Sequence, residues 1–189
     1  MASCLSRMLD HLQQQLRTIV DHQPEGDDFA LAGGGTLIVR GVITRPTRDL
    51  DYFGTSQSGR AHLTDALKAR LAALGFTVER LRSFPRVVRL RVSTSEDSTT
   101  VDLGWDARLV SPERAEGGLV LSEAEAADKI LAVSDRGAPR DFVDLAALVQ
   151  RRGVRKAYTG AVEKQPGLDP RQLLYTAYSA AYSPAYSGP

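Results

Sequence analysis

The sequence predicts a fold of mixed α and β type, in which a small mixed sheet is flanked by helices and followed by further C-terminal helices. Stretches with apolar residues at helical spacing alternate with short apolar stretches typical of strands. The chain has 189 residues, 42% of them hydrophobic, which is enough for one compact core with a helical extension. We therefore expect a single domain over 1–178, with its core at about 25–110 and a helical part at about 120–178. The low-complexity end, 179–189, is expected to be a disordered tail.

The composition excludes several classes of site. Lys and Arg number 24 against 23 Asp and Glu, so the net charge of +1 does not by itself indicate a nucleic acid or a membrane as partner. The single cysteine, Cys4, excludes an intramolecular disulfide and a Cys-rich zinc site, and the 3 histidines include no pair at metal-ligand spacing. No apolar run approaches the ~20 residues that span a bilayer, and the N-terminus lacks an apolar signal core. We expect a soluble, cytoplasmic protein.

The first half of the chain gives clear signals for helices, turns and strands. Apolar residues at helical spacing from Leu5 to Val20 predict the first helix, and Gly75 is placed to end the third as the residue after its C-cap. The predicted elements are, in order, a helix at 5–20, a break at 22–28, a strand at 29–32, a glycine turn at 33–36, a helix from 37, a strand at 49–53 and a helix at 58–74.

The second half begins with strands and ends with helices. Ser122 and Glu125 have the spacing of a capping box, and Pro139 suits the first turn of a helix. The predicted elements are strands at 76–79, 87–92 and 99–103, a turn at 117–118, and helices at 122–135, 139–151 and 170–178.

Asp49 and Asp51 are the residues that indicate chemistry most directly. Alternate residues of a strand share a face, so these two carboxylates would lie side by side and repel each other. A divalent cation relieves this repulsion, and Mg²⁺ prefers carboxylates together with water and substrate phosphates. Asp102, between two apolar residues, is the expected third carboxylate on a neighbouring strand and would complete a site for two metal ions. The alternative is a pair of solvent-exposed aspartates.

A run of glycines, Gly33–Gly35, precedes Thr36 at the predicted junction of strand and helix. Glycines at such a junction let backbone N–H groups approach a phosphate, and the N-terminus of the helix adds positive potential. The alternative is a flexible turn. The order of strand, glycine turn, short helix and strand with two aspartates favours the phosphate-binding interpretation.

Four segments together resemble a known family. They are Ala32–Arg40 (AGGGTLIVR), Arg45–Phe53 (RPTRDLDYF), Asp128–Ala132 (DKILA) and Asp135–Leu145 (DRGAPRDFVDL). The chain resembles the nucleotidyltransferase fold shared with DNA polymerase β, and more narrowly the AbiEii/MenT type of bacterial toxin nucleotidyltransferases. The likeness covers about residues 29–150. The third glycine is extra, and the chain is too short for the large C-terminal helical domain of longer relatives.

The resemblance implies a role for each matching residue. The metal ligands would be Asp49, Asp51 and Asp102, holding two Mg²⁺ ions. The phosphate-facing turn would be Gly34, Gly35 and Thr36, and further nucleotide contacts would come from Thr47, Arg48, Lys129 and Arg140. Either Asp141 or Asp144 would be the remaining catalytic acid, and their spacing on one helix face does not separate them. The alternatives are a solvated lysine at 129 and first-turn aspartates favoured by the helix dipole.

The expected function is Mg²⁺-dependent transfer of a nucleoside monophosphate from an NTP to an acceptor hydroxyl, with release of pyrophosphate. By resemblance, the acceptor is the 3′ end of tRNA, and the chain is the toxin of a toxin–antitoxin system. Its partner would then be an antitoxin protein that blocks the site or modifies Thr47. The alternatives are a small-molecule acceptor such as an antibiotic, a protein hydroxyl, or a catalytically silent module that binds NTP or RNA.

Two groups of basic residues bear on the acceptor. Five arginines lie between Arg80 and Arg91, and a second group runs from Arg151 to Lys156. A nearly neutral protein can still concentrate positive charge on one face and bind a polyanion there. The alternative is a set of solvated arginines paired with the many acidic residues. Trp105 could stack on a base, although a lone tryptophan more often belongs to a core.

Overall fold

The computed structural model describes residues 9–115, 117–121 and 126–181. The chain divides into two compact units, Met1–Leu121 and Ser122–Pro189. The first contains all the strands found in the described residues, and the second contains four helices. The expected single domain over 1–178 stays a prediction.

The described residues of unit 1 form three α-helices, a short 3₁₀ helix and seven strands. The helices are α1 (His11–Asp21), α2 (Gly33–Val39) and α3 (Gln57–Ala73), with the 3₁₀ helix at Pro24–Gly26. The strands are β1 (Ala30–Ala32), β2 (Asp49–Gly54), β3 (Thr77–Ser83), β4 (Val87–Ser93), β5 (Ser98–Trp105), β6 (Glu113–Ala115) and β7 (Gly118–Val120).

The strands form one seven-stranded sheet in the order β3-β4-β5-β2-β1-β7-β6. The pairs β2–β5 and β1–β7 are parallel, and the other pairs are antiparallel. The predicted mixed sheet flanked by helices is therefore confirmed. The strand that carries Asp49 and Asp51 is the fourth of seven, so neighbouring strands surround this pair on both sides.

Alternation along β2 separates a core face from a second face. Leu50 and Tyr52 are fully buried, whereas Asp49 and Asp51 on the other face remain partly exposed. Helix α3 packs against β3 and β5 and buries three leucines completely: Leu63, Leu67 and Leu71. Burying side chains of this size stabilises the unit by about 2 kcal/mol each.

The ends of helices α1 and α3 have identifiable caps. Asp10 accepts a hydrogen bond from the backbone N–H of Gln13, whose side chain accepts one from the backbone N–H of Asp10. This capping box starts α1 at His11, later than the predicted residue 5. Helix α3 begins after Ser56, which accepts from the N–H of Gly59. Gly75 follows its C-cap with a φ of +87°, as predicted.

Several predicted boundaries are wrong, and two features were missed. The glycine run forms the first turn of α2 itself, so this helix starts at Gly33 instead of residue 37. The hairpin β6–β7 and the helix α6 were not predicted. Residues 179–181 continue the last helix and are not part of a tail. Residues 5–8 of the predicted first helix, the expected capping box at 122–125 and the rest of the expected tail, 182–189, lie outside the described residues.

Unit 2 contains α4 (Ala126–Asp135), α5 (Pro139–Arg152), α6 (Val154–Lys164) and α7 (Pro170–Ala181). Helix α4 contacts each of the other three. Gly153 separates α5 from α6 with a φ of +81°, a conformation that favours glycine. Within the described ranges, none of the helices has both the length and the apolar character needed to cross a bilayer.

Candidate active site

Three carboxylates lie on one face of the two central strands. Asp51 of β2 is the register partner of Asp102 on β5, and Asp49 is the partner of Thr100. Residues in register on neighbouring strands project from the same face, as do Asp49 and Asp51 because they are two apart. Asp102 is 6% exposed. The predicted neighbour-strand position of Asp102 is therefore observed in the register.

Arg89 engages both carboxylate oxygens of Asp102. It lies opposite Asp102 on β4, and its Nε and Nη2 donate to Oδ1 and Oδ2 at 2.7 and 2.5 Å. These hydrogen bonds, with the charges of all three aspartates, raise the pKa of Arg89 above its ordinary value. In the ranges that the structure describes, His, Cys, Asp and Glu side chains form no group of three or more that could hold a metal ion. The three-acid metal site stays a prediction.

Gly33 provides the space in which the Asp51 carboxylate lies. Its φ is +56°, and a Cβ built there would lie 2.0 Å from Oδ2 of Asp51. The contact follows from the sheet, because Ala32 on β1 is the register partner of Asp51. Only glycine at this position meets both the backbone and the steric requirement.

The loop before β2 is fixed beside the start of α2. A Cβ at Gly34 would lie 2.9 Å from the hydroxyl of Thr47 and 3.5 Å from Nη2 of Arg45. The Thr47 hydroxyl is 3.2 Å from both Oδ1 and the backbone carbonyl oxygen of Asp49, and it donates to one of these two oxygens. This hydrogen bond helps to orient Asp49. Thr47 itself is only 8% exposed. Arg48, the next residue, is exposed.

Gln13 is a site residue that sequence reasoning missed. Its side-chain amide donates to the backbone carbonyl of Thr47 at 3.1 Å and to the hydroxyl of Thr99 at 3.4 Å. That hydroxyl is also 3.2 Å from the carbonyl of Arg48, to which it donates. Gln13 is 1% exposed although it lies on a surface helix. The sequence did contain a signal for this role, a glutamine on the apolar face of α1. A buried amide needs hydrogen-bond partners, so such a residue indicates polar contacts inside the fold.

Gly35 and Thr36 face the interior of unit 1. A Cβ at Gly35 would lie 3.0 Å from Cδ1 of Leu31, so this glycine permits close packing. The Thr36 hydroxyl donates to the carbonyl of Leu121 at 3.2 Å and is buried. Of the three residues expected to face phosphate, Gly34 is the one that adjoins Thr47 and Arg45. A role of the other two in phosphate binding stays a prediction.

A second charged cluster lies within unit 2. Lys129 of α4 bridges Asp144 at 2.7 Å and Asp141 at 3.3 Å, both on α5 and both fully buried. Arg136 donates to both oxygens of Asp141, at 2.7 and 3.0 Å. Burial alone would raise the pKa of Asp141, but the hydrogen bonds from Arg136 and the charges of Lys129 and Arg136 outweigh burial and lower that pKa.

These contacts bear on the two alternatives for this cluster, a solvated lysine at 129 and first-turn aspartates at 141 and 144. Lys129 is 12% exposed and paired, so it is not a solvated lysine. Asp141 does lie in the first turn of α5, where the helix dipole favours an acid, and Asp144 does not, but both are buried against Lys129. Both acids hold the lysine, and Arg136 adds a second cation at Asp141. Arg140, in the first turn of α5, is half-buried. A catalytic role of Asp141 or Asp144 stays a prediction.

The arginines between positions 80 and 91 fall into two classes. Arg89 pairs with Asp102 and Arg91 with Glu79, while Arg86 pairs with Asp106 and lies 5.1 Å from the ring centre of Trp105. By contrast, Arg80 and Arg82 on β3 are exposed and have no acidic partner among the residues described. The alternative of arginines paired with acids therefore holds for three of the five.

Comparison with solved structures identifies the fold. No family model and no curated protein sequence matches the chain. JHP933 from Helicobacter pylori matches with a TM-score of 0.54 and 15% identity, covering 92% of each chain. MenT4, a nucleotidyltransferase toxin from Mycobacterium tuberculosis H37Rv, matches with a TM-score of 0.54 and 22% identity, covering 84% of this chain and 66% of that one. At these identities the likeness concerns the fold.

The predicted resemblance to MenT-type nucleotidyltransferases is thus confirmed for the fold of the chain. The segments that carry the resemblance fall in both units of the chain. Two of them form the strand-to-helix turn at Gly33 and the acidic strand β2, and the other two supply Lys129 and its acidic partners on α4 and α5.

Proposed function

We propose that this chain is a nucleotidyltransferase that moves a nucleoside monophosphate from an NTP to an acceptor hydroxyl and releases pyrophosphate. The observation that carries the proposal is the placement of Asp49 and Asp51 on β2, in register with Asp102 and against Gly33, within the fold of MenT4. A surface pair of aspartates without a function would need neither the glycine that accommodates Asp51 nor the threonine that orients Asp49.

Asp49 and Asp51 have the chemistry to hold one Mg²⁺ ion. Both are partly exposed on one face of β2, and Mg²⁺ in phosphate-handling sites commonly takes one or two carboxylates, with water and substrate phosphates as its other ligands. Both oxygens of Asp102 are engaged by Arg89, so a second ion at Asp102 would have to draw it away from that guanidinium. When bound, the ion would neutralise triphosphate charge and favour ionisation of the acceptor hydroxyl.

The protein's own residues would bind and orient the substrates. The hydroxyl of Thr47 lies 3.2 Å from Oδ1 of Asp49, and Gln13 holds the backbone of Thr47. Arg45 lies near Gly34, in the first turn of α2. Its positive charge would attract a triphosphate bound there. We also assign Arg48, Lys129 and Arg140 to the nucleotide, by resemblance, as cations that offset the charge developing on the leaving pyrophosphate.

For the acceptor we propose the 3′ end of tRNA, which would make the chain a toxin that blocks translation. Arg80 and Arg82, two exposed arginines that pair with no acid in the described part of the chain, lie on the strand next to the one that holds Arg89. Phe84 at the β3–β4 turn is 54% exposed. Free guanidinium groups with an exposed aromatic ring suit single-stranded RNA, whose phosphates and bases they would contact.

The antitoxin partner stays a prediction, and the structure constrains how it would act on Thr47. The hydroxyl of Thr47 is buried and hydrogen-bonded to Asp49. A modifying partner would therefore have to open the loop before β2 to reach it. A phosphate added there would repel Asp49 and Asp51 strongly.

A catalytically silent NTP- or RNA-binding module is the second candidate. The engagement of Asp102 by Arg89 favours it, because a third carboxylate that is fully hydrogen-bonded is a weak proton acceptor. This candidate predicts that NTPs raise the melting temperature without any release of pyrophosphate.

The test is a transfer screen with each of the four NTPs, labelled at the α-phosphate, against total tRNA, a panel of aminoglycosides and total protein, with and without Mg²⁺. We expect label in tRNA with wild type and Mg²⁺, and none with Asp49→Asn. The surface variant Asp65→Asn, which alters an exposed aspartate on α3, should match wild type. Label in drug or protein instead would change the acceptor, and binding without transfer would favour the silent module.

A further inference from the structure

Arg82 on the edge strand β3 lies on the same face of the sheet as Asp51, whereas Arg80 lies on the opposite face. We propose that Arg82 binds a phosphate of the acceptor RNA a few nucleotides before its reacting 3′ end, and that Arg80 has no part in this contact. This inference rests on the proposed function, because it takes RNA as the acceptor and Asp51 as a residue of the reacting centre.

The first argument is the register of β3. Residues two apart in a regular strand share a face, so the sequence alone would place Arg80 and Arg82 together. The register shifts between them, and Leu81 has no partner on β4. Arg80 is the register partner of the fully buried Leu90, and Arg82 is the partner of Arg89. Arg82 therefore shares a face with Arg89, and the shift directs Arg80 to the other face.

The second argument is the row of residues that crosses the sheet to the candidate site. From β3 to β2, this row consists of Arg82, Arg89, Asp102 and Asp51. Three strand spacings separate its ends, which places them about 14 Å apart. Stacked nucleotides advance about 3.4 Å each along a strand, so the row spans at most about four nucleotides. An acceptor whose 3′ end lies at Asp51 can therefore place one of its last few phosphates beside Arg82.

The third argument is that this face is accessible to solvent between Arg82 and the acids. The side chains of Arg89 and Arg91 on β4 are 41% and 49% exposed. On the other side of Asp51, Gly33 at the start of α2 approaches the carboxylate, and the triphosphate is proposed to bind beside this helix. The acceptor would therefore reach Asp51 across β4 and β5.

The fourth argument is the pairing of charges between β3 and β4. In one row of this face Arg91 pairs with Glu79 at 3.2 Å. In the neighbouring row two arginines lie opposite each other, and of these Arg89 alone pairs with an acid among the residues that the structure describes. Like charges opposite each other on neighbouring strands repel. A phosphate beside Arg82 would offset that repulsion.

The experiment uses a short single-stranded RNA with the 3′ sequence of tRNA, in which one phosphate at a time is replaced by an uncharged methylphosphonate. Fluorescence anisotropy measures its affinity, and labelled NTP measures kcat/KM for transfer, with wild type, Arg82→Ser and the control Arg80→Ser. For wild type we expect one replacement, among about the last four phosphates, to lower both quantities about tenfold. Arg80→Ser should show the same loss at that phosphate, and Arg82→Ser should lose less than twofold there.

The outcomes separate this proposal from the one on which it rests. A wild type that tolerates every replacement, a loss only at phosphates farther from the 3′ end, or an Arg82→Ser variant with the wild-type pattern would each overturn the role of Arg82. The same holds if Arg80→Ser removes the sensitivity equally. Because the affinities do not depend on catalysis, the expected pattern of binding without any transfer would support the contact and contradict the nucleotidyltransferase. Transfer to RNA without the pattern would do the reverse, and failure of wild type to bind RNA would contradict both.

Discussion

The carboxylate of Asp51 lies against the backbone of Gly33, so that a Cβ at Gly33 would be 2.0 Å from Oδ2. Gly33 also has a φ of +56°, in the left-handed region. Gly33 thus directly follows β1, is the first residue of α2 and leaves room for an acidic side chain on the neighbouring strand. The close approach of backbone and carboxylate ties the glycine segment to the acidic strand.

Gly33→Ala should move the Asp51 carboxylate and lower nucleotide transfer at least tenfold. Gly75→Ala is the control, because Gly75 also has a positive φ, +87°, but nothing lies within 4 Å of its Cβ position. Each alanine should cost about 1–2 kcal/mol of stability for its left-handed conformation. Thermal unfolding and transfer assays on both variants check this. Equal activity in the two variants would show that the close approach to Asp51 does not matter.

Thr47→Val should weaken transfer at least tenfold by removing the hydrogen bond that orients Asp49, since a bond to a charged group is worth about 1.5–3 kcal/mol. Thr47→Glu should abolish transfer, because a third negative charge would join Asp49 and Asp51. Thr64→Val is the matched control. Thr64 is also buried, but its hydroxyl donates to the carbonyl of Arg60 within α3. The kinetics of all three variants at several Mg²⁺ concentrations provide the check, and a fully active Thr47→Glu would rule out this role for the hydroxyl.

Asp141→Asn should destabilise the protein at pH 7 by on the order of 3 kcal/mol, since it removes one partner of a buried ion pair. The lowered pKa of Asp141 sets the pH dependence. A carboxyl whose pKa is lower in the folded than in the unfolded protein stabilises the fold at pH values above its ordinary pKa of 3.8. This stabilisation is lost as the pH falls below that value.

The difference in unfolding free energy between wild type and Asp141→Asn should therefore be constant from pH 5 to 7 and shrink toward pH 2–3. Denaturant unfolding at each pH measures it, with exposed Asp65→Asn as the reference. A difference that grows on acidification would contradict the assignment.

Arg80→Ser combined with Arg82→Ser should weaken single-stranded RNA binding by at least tenfold. The slope of log K against log salt should fall by about 1 for each RNA phosphate that no longer has an arginine beside it. Arg70→Ser is the control, because Arg70 is also an exposed arginine, on α3. Fluorescence anisotropy with a short labelled RNA over a range of salt concentrations tests both. Equal losses of affinity from Arg70→Ser would mean that the effect is one of net charge only.

The parts of the fold that the sequence predicted have local causes. Helix α3 has a serine at its N-cap and Gly75 after its C-cap, and β2 alternates buried and partly exposed residues. The hairpin β6–β7 could not be predicted in this way, because each strand has 3 residues, too few to show a period. Helix α1 begins later than predicted because Asp10 and Gln13 form a capping box. The prediction followed the apolar residues before Asp10 instead of this capping signal.

The sequence indicated candidate residues for the site, but not which other residues they would contact. Asp49 and Asp51 are two apart in one strand, so their shared face follows from the sequence alone. The partner of Asp102 does not, since Arg89 is brought opposite it by the register of β4 and β5. Lys129 was likewise selected by resemblance, while its burial between two aspartates depends on how α4 and α5 pack.

The most direct measurement follows the two ends of the triphosphate separately. Wild type and Asp49→Asn are incubated with Mg²⁺, total tRNA and each NTP labelled either at the α- or at the γ-phosphate. Nucleotidyl transfer predicts that wild type puts the α-label into RNA and the γ-label into pyrophosphate, and that Asp49→Asn does neither. The γ-label in RNA, equal transfer by Asp49→Asn, or no transfer to any acceptor with any of the four NTPs would contradict it.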